Sequence, residues 1–169
     1  MQELKDTQSE TDTRNISIDR VGVKGLRFPI QIQDKLNRIQ STVATVSLAV
    51  DLPEEFKGTH MSRFVEALHQ HGPLLDVHTA LAIPRELLRR LSARRSHVEM
   101  EFPFFRAKNA PVTGIEGLMD YVVRFEMEAE ADNKLADFKL TVVVPVTTLC
   151  PCSKAMSCLL YTSDAADDK

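Results

Sequence analysis

Two thiols one residue apart, in Cys150-Pro151-Cys152-Ser153-Lys154, are the residues of this chain best suited to do chemistry. A thiolate is both a nucleophile and a soft metal ligand, whereas an ordinary buried thiol behaves as a small hydrophobe. Pro151 fixes φ between the cysteines and removes a donor, so the backbone must leave regular pairing there and display both side chains on a stiff turn. A disulfide between the two would be strained. Without a secretory signal, thiols point to a reducing compartment. No second cysteine pair stands at zinc-ribbon spacing, so a metal held here needs distant partners. Metal ligation and nucleophilic catalysis both remain open at this point.

The element that positions the thiols is the run Phe138-Lys-Leu-Thr-Val-Val-Val-Pro-Val146. Its period-two pattern puts Phe138, Leu140, Val142, Val144 and Val146 on one face of a strand, with Cys150 just past its end. Upstream, Leu26, Phe28, Ile30 and Ile32 alternate with polar residues. So do Ala44, Val46, Leu48, Val50 and Leu52 within Gln40–Leu52, and these two runs predict two antiparallel strands. Met61, Phe64, Val65 and Leu68 form an i, i+3, i+4, i+7 stripe, which predicts a helix over 61–71 stopped by Gly72-Pro73. A second helix is expected to start between Thr79 and Pro84, with Pro84 in its first turn and Arg89, Arg90, Arg94 and Arg95 at its negative end. Val98–Phe104 and Tyr121–Ala129 then alternate as strands, and Asp132-Asn133-Lys134 turns the chain into the last strand. Two strands, two helices and three strands make an α+β module, an antiparallel sheet with two helices packed on one face. Such a sheet keeps open edges that an oligomer could pair into a closed barrel.

At 169 residues, 43% of them hydrophobic, the chain can build one core. Residues 1–25 read as a flexible polar leader without the apolar segment of a signal peptide, and 26–157 as the module. No apolar run reaches bilayer length, so a cytoplasmic location without membrane contact is expected. Residues 158–169, Cys158-Leu-Leu-Tyr-Thr-Ser-Asp-Ala-Ala-Asp-Asp-Lys169, continue no pattern and resemble the translation of a transposase sequencing adapter. The expectation is a non-native tail. Setting it aside takes acids from 24 to 21 and bases from 21 to 20, so the net charge moves from −3 to −1. Neither value favours a nucleic-acid partner.

Other residues carry weaker signals. His60 and Arg63 flank the start of the first helix, where free N–H groups and a guanidinium could hold an anion, although Thr59 is also an ordinary capping residue. His69 and His71 stand two apart on a helix and cannot chelate one metal together. His78 and His97 read as solvated surface positions. Phe102-Pro103-Phe104-Phe105-Arg106-Ala107-Lys108 could stack a purine and hold phosphates, or simply end a core strand in a basic tip. There is no phosphate-binding glycine loop.

Six segments taken in order resemble the GTP cyclohydrolase IB family: Leu26-Arg27-Phe28-Pro29-Ile30, Gln40-Ser41-Thr42-Val43-Ala44, Lys57-Gly58-Thr59-His60-Met61-Ser62-Arg63-Phe64, Phe102-Pro103-Phe104-Phe105, Ala110-Pro111-Val112-Thr113-Gly114 and Pro145-Val-Thr-Thr-Leu-Cys150-Pro-Cys-Ser-Lys154. The resemblance runs from about residue 14 to Lys154. It implies the tunnelling fold, with two modules per full-length subunit and homotetramers whose active sites lie at subunit interfaces. It also implies hydrolysis of GTP to formate and 7,8-dihydroneopterin triphosphate, which feeds folate or queuosine-type pathways, by a divalent metal (zinc, manganese or iron) that activates water. Cys150 matches the family's metal-binding cysteine. The histidine and glutamate ligands that the family places later are not reached before Ser157, so this chain alone is expected to be inactive. His60 and Arg63 match a motif near the interface site, which makes them substrate-binding candidates. A tunnelling-fold nitrile reductase using Cys150 as nucleophile, and a non-catalytic purine-binding oligomer, are the alternatives.

Overall fold

The computed structural model describes residues 16–33, 38–56, 58–70, 72–109, 114–131 and 134–146. Its elements are β1 (Ile18–Gln33), β2 (Ile39–Leu52), α1 (Met61–Gln70), β3 (Leu74–Leu75), α2 (Val77–Leu91), β4 (Arg95–Asn109), β5 (Glu116–Glu130) and β6 (Lys134–Val143). They build one six-stranded sheet in the order β3-β1-β2-β4-β5-β6, with both helices on one face. All pairings are antiparallel except the two-residue contact of β3 with β1, so the α+β arrangement expected from the pattern is present with a small parallel addition.

Strand alternation does most of the sorting. Val46, Leu48 and Val50 of β2, Val98, Met100 and Phe102 of β4, and Phe125, Met127 and Ala129 of β5 all point towards the helices and are buried. Phe64, Ala67 and Leu68 of α1 and Ala80, Ile83 and Leu87 of α2 close over them. The rings of Phe102 and Phe125 meet edge to face, with centroids 5.4 Å apart at 84°.

Three expectations are corrected. First, β1 begins at Ile18, so 18–25 belong to the sheet and not to a flexible leader. The alternation is obscured there by register shifts between Ile18 and Val21 and between Val23 and Leu26, where Gly25 adopts φ +73°. Gly22 has no room for a side chain at all, since a Cβ would stand 1.9 Å from the Leu48 carbonyl oxygen.

Second, α2 starts at Val77 and carries Pro84 in its interior. Asp76 and Thr79 form a capping box: Thr79 N donates to Asp76 Oδ1 at 2.7 Å, and Asp76 N donates to Thr79 Oγ1 at 2.8 Å. The Thr79 amide, and after it the hydroxyl, hold the Asp76 carboxyl below its usual range. This start signal overrides the proline, which must then give up one helical hydrogen bond. The Pro84 carbonyl itself accepts from buried Ser96, whose Oγ donates to it at 2.8 Å.

Third, β3 is not visible in the sequence, because two residues carry no period. Gln31 N donates to Pro73 O at 2.7 Å beside it. No helix among the described residues is long and apolar enough to cross a membrane.

Candidate active site

The strand that leads to Cys150 ends beside two of the motif segments. Val143 of β6 pairs with Val122 of β5, and Val122 pairs with Pro103 of β4. Pro103 has no N–H, and the backbone ladder between β2 and β4 stops at Thr45 and Glu101. Side chains take over beyond that point. Thr42 Oγ1 donates to Pro103 O at 3.1 Å, Gln40 Nε2 donates to Phe105 O at 2.9 Å, and Phe105 N donates to Gln40 Oε1 at 2.8 Å. The carboxamide of Gln40 thus imitates a peptide group and keeps the Phe102–Phe105 segment in the sheet. Pro29 pairs with Val43, which brings a third segment to the same end. Within Phe102–Lys108, Phe102 is core, Phe104 is half-buried and Phe105 is exposed. Cys150 and Cys152 themselves lie outside the described residues, as do 158–169.

His60 and Arg63 stand at the other end. Arg63 Nη1 donates to the Arg90 carbonyl at 3.1 Å, in the last turn of α2, and Arg63 N donates to His60 O at 3.2 Å. Arg90 is itself held by Glu86, by Glu66 at 2.9 Å and by Gln70, so it ties α2 to α1. Glu86 is buried between Arg89 and Arg90; the bonds from Arg89, and then those from Arg90, overcome the burial and hold its carboxyl down at about 2. Just beyond this clamp, Arg94 N and Arg95 N both donate to Asp51 Oδ1 at the end of β2. From Val43 to Asp51 is eight residues of strand, about 26 Å at 3.3 Å per residue. Among the described residues, His60 and Arg63 thus stand by the clamp at the end of α2, and the three motif segments by the end of β6.

The open face of the sheet carries polar groups to which the sequence assigns no role. His97 is three-quarters buried, and its Nδ1 lies 2.9 Å from Glu128 Oε1, which Arg20 Nη2 also approaches at 3.3 Å. This corrects the view of His97 as solvated; alternation places it on the open face, but only the β4–β5 register puts it against Glu128. A cleft of about 300 Å³ opens beside the pair, lined by Asp19, Arg20, Asp51, Arg95, His97 and Glu128. Further along, Arg124 Nε donates to Glu101 Oε2 at 3.0 Å. Lys139 Nζ stands 2.6 Å from Glu126 Oε2, an ion contact made outside hydrogen-bonding angles, and it holds the Glu126 carboxyl below its usual range. Among the described residues, no three His, Cys, Asp or Glu side chains converge as a metal site.

The family model described as "Type I GTP cyclohydrolase folE2" matches residues 4–165. The chain belongs to that family. Relatives carrying the name GTP cyclohydrolase FolE2 include the protein of Akkermansia muciniphila, 98% identical over 157 residues that cover 93% of this chain and 60% of the relative. The protein of Fervidobacterium nodosum is 48% identical over 154 residues, covering 91% of this chain and 58% of the relative. That of Azoarcus sp. is 46% identical over 154 residues, covering 91% and 57%. The chain thus spans about 60% of the length of the curated FolE2 relatives it matches. Three of the six segments that carry the family resemblance meet at the β6 end.

Proposed function

We propose that this chain is part of a GTP cyclohydrolase that hydrolyses GTP to formate and 7,8-dihydroneopterin triphosphate. The observation that supports this most is the family match over residues 4–165, which takes in all six motif segments. Cys150 is proposed as one ligand of a divalent metal, zinc, manganese or iron. A thiolate suits such a soft-to-borderline ion, which would supply an activated water for attack at the purine C8. The remaining ligands are proposed to come from the part of the relatives that this chain does not span. His60 and Arg63 are proposed as substrate-side residues.

The site is read as drawing on two copies of the chain, in a cytoplasmic homotetramer, as the resemblance to the family implies. In a single chain Arg63 is engaged by Arg90, so a role at substrate would use its remaining donors.

Formate release from GTP tests the reading. A protein carrying the full length of the Akkermansia relative should release formate, and the 169-residue chain should not. Cys150→Ala in the longer protein should abolish both activity and bound metal. Activity retained in the variant, or seen in the 169-residue chain, overturns the proposed ligand set.

A further inference from the structure

Past Thr45 and Glu101 no backbone register joins β2 to β4 among the described residues, and a cleft of about 430 Å³ opens between them. Its apolar wall is Val43, Phe102, Pro103 and Val122, and Arg27 and Glu101 are its charged groups. Alternation places Arg27, Val43, Glu101 and Pro103 on the face turned away from the helices, so the cleft opens there. That size, with an apolar wall and a few polar groups, suits a small-molecule site.

Phe105 is the next residue on that face after Pro103, and it is 41% exposed. An exposed ring adds most to binding when it is held in place beforehand, because its ordering then costs nothing at the moment of binding. The Gln40 carboxamide holds it by both backbone groups, accepting from Phe105 N at 2.8 Å and donating to Phe105 O at 2.9 Å. The charge balance of the cleft is set by two residues. Glu101 is engaged by Arg124, whereas the exposed Arg27 guanidinium has no hydrogen-bond or ion-pair partner among the described residues. Thr45 pairs with Arg27 on one side and with Glu101 on the other, and Phe105 lies four residues beyond Glu101, about 13 Å along the strands. An aromatic plate at one end and a free guanidinium at the other suit an aromatic base that carries phosphate, since bases stack on rings and guanidinium binds phosphate as a fork.

We infer that this cleft is where a purine nucleotide lies on the chain, its base flat against Pro103 and Phe105 and its phosphates at Arg27, with Gln40 as the positioning residue that holds Phe105. The choice of GTP as that nucleotide rests on the cyclohydrolase reading.

Calorimetric titration of a protein with the full length of the Akkermansia relative tests it, with GTP, guanosine and inorganic tripolyphosphate as probes. Phe105→Ala should weaken GTP and guanosine by roughly tenfold to a hundredfold and leave tripolyphosphate unchanged. Arg27→Gln should weaken GTP and tripolyphosphate by roughly tenfold and spare guanosine. Both side chains are exposed, so far-UV circular dichroism should not change. Gln40→Ala should act as a weaker Phe105→Ala, roughly tenfold on GTP and guanosine only. Gln40→Glu keeps the acceptor for Phe105 N and loses the donor to Phe105 O, so it should fall between wild type and Gln40→Ala. Since Gln40 acts through the ring, the Gln40→Ala, Phe105→Ala double variant should bind GTP no more weakly than Phe105→Ala alone. Wild-type GTP affinity in Phe105→Ala, a Gln40→Ala that weakens all three probes equally, or a wild-type protein that binds no GTP overturns the inference. Formate release judges the cyclohydrolase reading separately: this pattern of binding without formate would keep the cleft and sink that reading.

Discussion

The two faces of one sheet are built from alternate residues of the same strands and do different work. On β4, Met100 is 1% exposed under the helices, while its neighbours Glu99 and Glu101 point the other way into a ladder of ion pairs. Burying a side chain such as Met100 contributes about 1.5–3 kcal/mol, whereas an exposed pair such as Glu101 with Arg124 is worth about 0.2–1 kcal/mol. Stability therefore resides on the covered face. The open face contributes little to it and is left to vary in chemistry along its length, from charged near His97 to apolar near Phe105.

Substitutions can break or sharpen that contrast. Leu48→Ala on the covered face should have the largest effect, a loss of about 2–5 kcal/mol, read as a lower urea midpoint; a loss under about 1 kcal/mol would mean the core is not where the burial places it. Gly22→Ala tests whether the open face tolerates change everywhere. With the Leu48 carbonyl 1.9 Å from the added carbon, the backbone must move, and about 1–3 kcal/mol should be lost. Wild-type stability in that variant would show that β1 and β2 do not approach so closely.

Glu86→Gln addresses the clamp that fastens the helices over the covered face, with an expected cost of about 1–3 kcal/mol at neutral pH. The folded carboxyl sits at about 2 and its ordinary value is 4.5, so this contribution is complete above pH 4.5 and disappears as the pH falls from there through 2. The difference in urea midpoint between wild type and variant should accordingly shrink at about pH 3. A constant difference would assign the cost to packing and not to charge. Glu101→Gln should have the smallest effect, at most about 1 kcal/mol, and salt should weaken it further. A larger, salt-independent loss in thermal melts would show that the ladder does more than pair charges at a surface.

Much of this is legible in the sequence for definite reasons. Period-two alternation is a local property, so the burial of Val46, Leu48, Met100 and Phe125 follows from sequence, as does the helix over Met61–Gln70 with its stop at Gly72. What fails is also local in cause. Bulges around Gly25 hide the first half of β1, and the proline at position 84 competes as a start signal with the Asp76–Thr79 capping box that wins. Of the candidate site, the motif segments can be read, but not that the Gln40 side chain binds the backbone of Phe105, 65 positions away.

By itself the sequence determined the long strands and both helices apart from their boundaries, the buried side of those strands and the family resemblance, because these depend on neighbours along the chain and on motifs that can be read in order. Only the tertiary structure decided which residues meet. The strand register sets His97 on Glu128, and the helix packing commits a guanidinium nitrogen of Arg63 to Arg90 at the far end from the strand that leads to Cys150. The physical reason is that register and crossing are chosen by contacts between distant segments, and no local pattern encodes their outcome.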